Sequence, residues 1–156
     1  MSAPDMAQGG PCGRGELSLQ LGRGRPMHAL SDPAPAMIEY GLQGGYHVDL
    51  SFAFQGSIDP DLISLRLSVS DREGWQIGEH FTAGWYLLLE ESEAERPTCY
   101  FYDARLFLYE RDGSLPSEET VSRLAGREES LEIELEEQSG AVHSFVRSLL
   151  FTLPEE

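Results

Sequence analysis

The side chains best suited to chemistry lie in one short run, Gly44-Gly45-Tyr46-His47-Val48-Asp49. Two successive glycines permit positive φ and close backbone approach, so they can present the next side chains to a ligand. His47 and Asp49 stand two residues apart, and on a strand that spacing puts both on one face. An imidazole beside a carboxylate is a donor pair for a transition metal. Tyr46, His47 and Asp49 are therefore the candidate ligand-binding residues. The plainer alternative is a tight lead into a core strand, with Tyr46 packed and His47 half-exposed on the polar side. The remaining histidines, His28, His80 and His143, make no His-x-His or His-x-x-x-His pair. Met27 and His28 would complete a soft copper site with His47 if the fold brought them together.

Other acidic residues read more simply. Asp59, Asp61, Asp71 and Glu73 fall in turns at opposite ends of one strand, without the Asp-x-Asp-x-Asp-Gly pattern of a calcium loop, so they read as solvated turn carboxylates. The glutamates within 128–137 line the outward face of a strand and its flanks. Charges there deter edge-to-edge aggregation, or else offer an acidic docking face to a basic partner. No Gly-x-Ser-x-Gly elbow or phosphate-cradling glycine loop is present, and no cysteine lies near a histidine in sequence. No enzymatic activity and no cofactor are expected.

The chain carries 27 acidic residues against 11 basic ones, every one of the latter arginine, for a net charge of −16. Such a surface repels phosphate backbones and anionic membranes, so the expected partner is a protein with a basic surface and not nucleic acid. No apolar stretch reaches the roughly 18–20 residues that cross a bilayer, so no membrane insertion is expected.

These residues must be positioned by strands. Residues 1–15 are rich in Gly, Pro and small side chains and read as a flexible tail without the apolar core of a signal peptide; residues 16–156 form one domain. Period-two alternation is clearest in residues 46–55, 63–70 and 131–136, with further strands expected near 17–21, 37–40, 85–90, 99–109 and 142–153. In the 99–109 strand, Phe101, Phe107 and Tyr109 share a face with Asp103 and Arg105. Residues 117–125 are the helical candidate, with Glu118 and Glu119 at the favourable end and Gly126 as terminator. Seven or eight short strands without βαβ alternation predict an all-β, immunoglobulin-like antiparallel sandwich, with a small barrel as the rival. Cys12 and Cys99 are either two independent thiols or a disulfide stapling the tail to the sheet, the latter requiring an oxidising compartment.

The run Gln43-Gly44-Gly45-Tyr46-His47-Val48 leads into an amphipathic strand, and Gly126-Arg127-Glu128 precedes the last strand pair with its Ser139-Gly140 turn. These segments resemble uncharacterised extracytoplasmic proteins of myxobacteria and related GC-rich bacteria, often lipoproteins with an immunoglobulin-like fold. The resemblance implies an exported sandwich domain. It would be periplasmic or at the cell envelope if a leader precedes this numbering, and cytoplasmic otherwise. The expectation is a non-enzymatic binding or structural module, and the alternative a periplasmic copper- or zinc-binding protein.

Overall fold

The computed structural model describes residues 10–41, 44–91 and 96–154. Strands follow in the order β1 Ser18–Arg23, β2 His28–Ala29, β3 Ala34–Met37, β4 Glu39–Tyr40, β5 Tyr46–Gln55, β6 Ile63–Ser70, β7 Gln76–Trp85, β8 Leu88–Glu91 and β9 Pro97–Leu108. Helix α1, Glu118–Leu124, precedes β10 Glu128–Glu136 and β11 Val142–Thr152. The protein is all-β. Among the described residues, seven of the eleven strands have six or more residues; β2, β3, β4 and β8 are too short to show alternation in sequence. Among the described residues no helix is long and apolar enough to cross a membrane.

The strands form one hydrogen-bonded sheet in the order β2-β1-β5-β9-β7-β6-β10-β11-β3, with β4 beside β5 and β8 beside β9. The seven long strands pair antiparallel throughout, whereas β3 pairs parallel with β11. β2 and β3 stand at opposite ends of this order, yet four residues separate them in the chain. Four residues bridge at most about 17 Å, so the sheet must curl until its ends meet. Arg147 of β11 crosses that seam and donates to the Leu19 carbonyl of β1 at 3.1 Å. The junction between β7 and β9 is thin, with Gly78 opposite Leu108 and Glu79 opposite Phe107 as its only registered pairs.

Alternation places the core inside the curl. Val48, Leu50, Phe52 and Phe54 of β5 face Leu65, Leu67 and Val69 of β6 and Leu131, Ile133 and Leu135 of β10 across one continuous apolar cluster. β9 departs from the simple pattern. A register shift lies opposite Leu50 and Phe52, and Asp103 adopts φ 54. That bulge switches parity, burying Phe101 before it and Ala104, Leu106 and Leu108 after it. Phe101 therefore does not share a face with Phe107, which is exposed. β7 was also not legible: glycines at 78 and 84 and exposed Phe81 and Trp85 break its alternation.

Two further corrections concern the ends of elements. Residues 10–15 are docked on the domain and not a loose lead-in to Glu16: Cys12 is fully buried and disulfide-bonded to Cys99. Gly56 N–H donates to the Cys12 carbonyl and Ser57 N–H to that of Gly15. Residues 1–9, the rest of the expected tail, lie outside the described residues. Glu129 does not join the outward glutamates. It points inward and is buried, while Glu128, Glu132, Glu134 and Glu136 face solvent. Helix α1 forms where expected, capped by Ser117 Oγ accepting from Thr120 N–H, and packs Val121 and Leu124 against the open end of the core.

Candidate functional site

Gly41, Gly44 and Gly45 close the β4–β5 hairpin, with Gly41 N–H donating to the Gly45 carbonyl at 3.0 Å and Gly44 N–H to that of Gly41 at 3.1 Å. Gly44 and Gly45 hold φ of 88° and 85°, a left-handed conformation that disfavours side chains. This turn fixes the register: Glu39 lies opposite His47, and Tyr40 opposite Tyr46. Because faces alternate, the two pairs point apart. Tyr46 packs on the core and edge-on to Tyr40, their ring centroids 5.3 Å apart. Tyr46 therefore stands away from His47 and Asp49.

His47 is 6 % exposed, not half-exposed as the polar side of a strand suggests. Its Nε2 lies 3.7 Å from Glu39 Oε2 and 3.6 Å from Asp49 Oδ2. All three donor atoms fall within 4.8 Å of one another. Those separations are too long for hydrogen bonds. They approach the ~3.4 Å edge of a tetrahedron whose ligands sit about 2.0–2.2 Å from a common ion.

Arginines orient both carboxylates. Asp49 Oδ1 accepts from Arg105 Nε at 3.1 Å, across the β5–β9 register, and this hydrogen bond and charge hold the Arg105 guanidinium more firmly protonated. On the other side Arg23 Nη2 lies 3.9 Å from Glu39 Oε1. Arg105 spans both Asp49 oxygens, with Nη2 3.5 Å from the Oδ2 that faces His47, while Glu39 keeps Oε1 near Arg23 and turns Oε2 toward His47; both are the kind of outer-sphere support that metal ligands receive. The Glu39 and Asp49 side chains are 37 % and 24 % exposed, so solvent reaches the open side of the cluster. One imidazole and two carboxylates suit zinc or a similar borderline-to-hard divalent ion, not a soft copper centre.

The soft set is not assembled. Met27 lies against Gly22 and lines a shallow hollow with Ala53, Gln55, Thr98 and Tyr100, toward the far end of β5 from His47. His28 pairs with Arg23 and belongs to no ligand group among the described residues. His80 sits between the Arg105 carbonyl at 2.9 Å and Thr82 Oγ1 at 2.6 Å; His143 contacts Glu137 Oε2 at 2.6 Å. Glu39 is the member that sequence reasoning missed. Its signal was the five-residue loop closed by two glycines, which pairs residue 39 with residue 47 once the hairpin is recognised.

The chain matches no protein-family model, and no curated protein is significantly similar to it.

Proposed function

We propose that the protein is a non-enzymatic binding module of the bacterial cell envelope that holds a divalent transition-metal ion, zinc foremost, on Glu39, His47 and Asp49. The observation that carries this reading is the convergence of three donor atoms within 4.8 Å around a buried imidazole. An ion there would clamp β4 onto β5 and leave a coordination position open to solvent or to a partner's ligand. The envelope assignment is supported by the Cys12–Cys99 disulfide, since such bridges persist in oxidising compartments. The immunoglobulin-like reading is supported by the thin β7–β9 junction. It divides the sheet into a half around β1-β5-β9 and a half around β7-β6-β10-β11 that cover one core, as two sandwich layers would.

Metal content of untagged protein and a zinc titration test the site. One ion per chain is expected, bound at about micromolar affinity or tighter, lost in His47→Ala and weakened roughly 10–100-fold in Arg105→Gln, the usual range for outer-sphere partners. Met27→Ala and His28→Ala should bind as the parent does. A parent that neither retains metal nor shows saturable zinc or copper binding would sink the proposal.

The glutamate face of β10 favours a second reading, a docking surface for a basic protein. β10 is paired on both sides, so edge protection does not account for Glu132, Glu134 and Glu136 pointing into solvent. Association that weakens with salt and disappears when these three are changed to Gln would support it; salt-independent binding would not.

A further inference from the structure

A hollow of about 370 Å³ opens where α1 crosses the end of the sheet, and Glu129 lies in its wall. Glu129 occupies an inward position of β10, in line with Leu131, Ile133 and Leu135. Its side chain is 1 % exposed, and neither carboxylate oxygen has a hydrogen-bond partner. Arg127 Nε stands 3.4 Å from Oε1, near enough to attract the charge without forming a hydrogen bond. An ionised carboxylate buried without donors is strongly unfavourable, so this group calls for a donor that the described residues do not supply.

The other acids in the wall are satisfied. Asp71 accepts from the amides of Glu73 and Trp75 at 2.9 and 3.0 Å and from Arg111 Nε at 2.9 Å. Glu110 accepts from the Thr120 hydroxyl at 2.8 Å and the Ser117 amide at 3.0 Å. Arg123 is the complementary case. Its guanidinium bonds Thr120 Oγ1 at 3.3 Å, and among the described residues no carboxylate stands within ion-pair distance of it. The hollow therefore holds one carboxylate that lacks donors and one guanidinium that lacks an acid.

We propose that this hollow binds a small zwitterion of the amino-acid class, whose ammonium donates to Glu129 and whose carboxylate is taken by Arg123. An ammonium offers three donors to the two Glu129 oxygens. A guanidinium meets a carboxylate through two parallel hydrogen bonds. Zero net charge suits a wall in which Arg111, Arg123 and Arg127 stand among Asp71, Glu110 and Glu129. The volume lies at the small end of the ~300–1,000 Å³ typical of ligand pockets, which fits a ligand of this size. No residue is shared with the Glu39–His47–Asp49 cluster, so either site can fail alone.

Calorimetric titration of the whole chain with each common L-amino acid tests the site. At least one should saturate it below about 1 mM, and its methyl ester and N-acetyl derivative should each bind about tenfold or more weakly, as loss of one charged partner implies. Glu129→Gln should cost roughly thirtyfold in affinity, the lower end for breaking a buried charge pair, and Arg123→Gln, at an exposed position, about fivefold. His47→Ala should change nothing. Arg123 is exposed on a helix, so its variant tests the carboxylate end of the ligand independently of Glu129. The proposal is overturned if no amino acid saturates the protein, if the blocked derivatives or a simple amine bind equally well, or if both variants bind like the parent.

Discussion

At the scale of single residues, Glu129 and His47 show the same effect: a polar side chain on a strand whose burial is decided by what covers it. His47 and Asp49 were legible as a same-face pair from their i, i+2 spacing, but the pairing with β4 that sets Glu39 beside His47 was not. Glu129 sits among so many glutamates that only the inward phase of Leu131, Ile133 and Leu135 separates it from its neighbours. Burial pushes its carboxyl above the ordinary glutamate range; Arg127 and Arg72 oppose that shift and Asp71 reinforces it. A carboxyl whose folded pKa is raised contributes stability that is complete below its unfolded value and lost as pH rises through the folded one. Glu129→Gln should therefore be more stable than the parent near neutral pH, with the gap closing toward the unfolded value of about 4.3. Urea midpoints for both proteins across that range would show it. A gap that widens on acidification would contradict the burial argument, because Asp71, Glu110 and the surrounding arginines are common to both proteins.

At the scale of elements, two turns carry most of the positioning. The 41–45 loop puts Glu39 across from His47, and the bend at Gly56 receives the N-terminal segment. Gly56 holds φ of 135°, and a Cβ there would lie 2.6 Å from the Leu17 Cα and 2.7 Å from the Glu16 carbonyl oxygen. Backbone cannot yield as a side chain can. Gly56→Ala should destabilise by about 1–3 kcal/mol, measured by urea unfolding, whereas Gly74→Ala, with open space around its Cβ, isolates the smaller conformational cost. Helix α1, β5, β6 and the β10–β11 hairpin were readable because capping and alternation act locally. The parity switch in β9 and the whole of β7 were not, because a bulge and exposed aromatics break the local code.

At the scale of the molecule, the Cys12–Cys99 bridge joins positions 87 residues apart. Closing a loop of that length removes unfolded-state entropy worth about 4–5 kcal/mol. The Cys12→Ser/Cys99→Ser double variant should lose stability on that order by urea denaturation, and the parent should match it under reductant. Equal stability of parent and variant in oxidising buffer would show that the segment docks without help from the bridge. A net charge of −16 adds self-repulsion in the compact state. Raising salt from about 10 mM to 150 mM shortens the screening length severalfold and should raise the melting temperature.

Alternation, turn residues and the helix cap are properties of neighbouring residues, so the sequence by itself determined the all-β class, most long strands, the helix and the His47–Asp49 pair. Closure of the sheet through residues 30–33, the docking of Cys12 on Cys99, the arrival of Glu39 beside His47 and the burial of Glu129 beside the hollow it shares with α1 were decided by tertiary structure alone. Each of these depends on which distant strands become neighbours. That choice reflects how the whole set of apolar faces is buried at once, and no local window of the chain contains it.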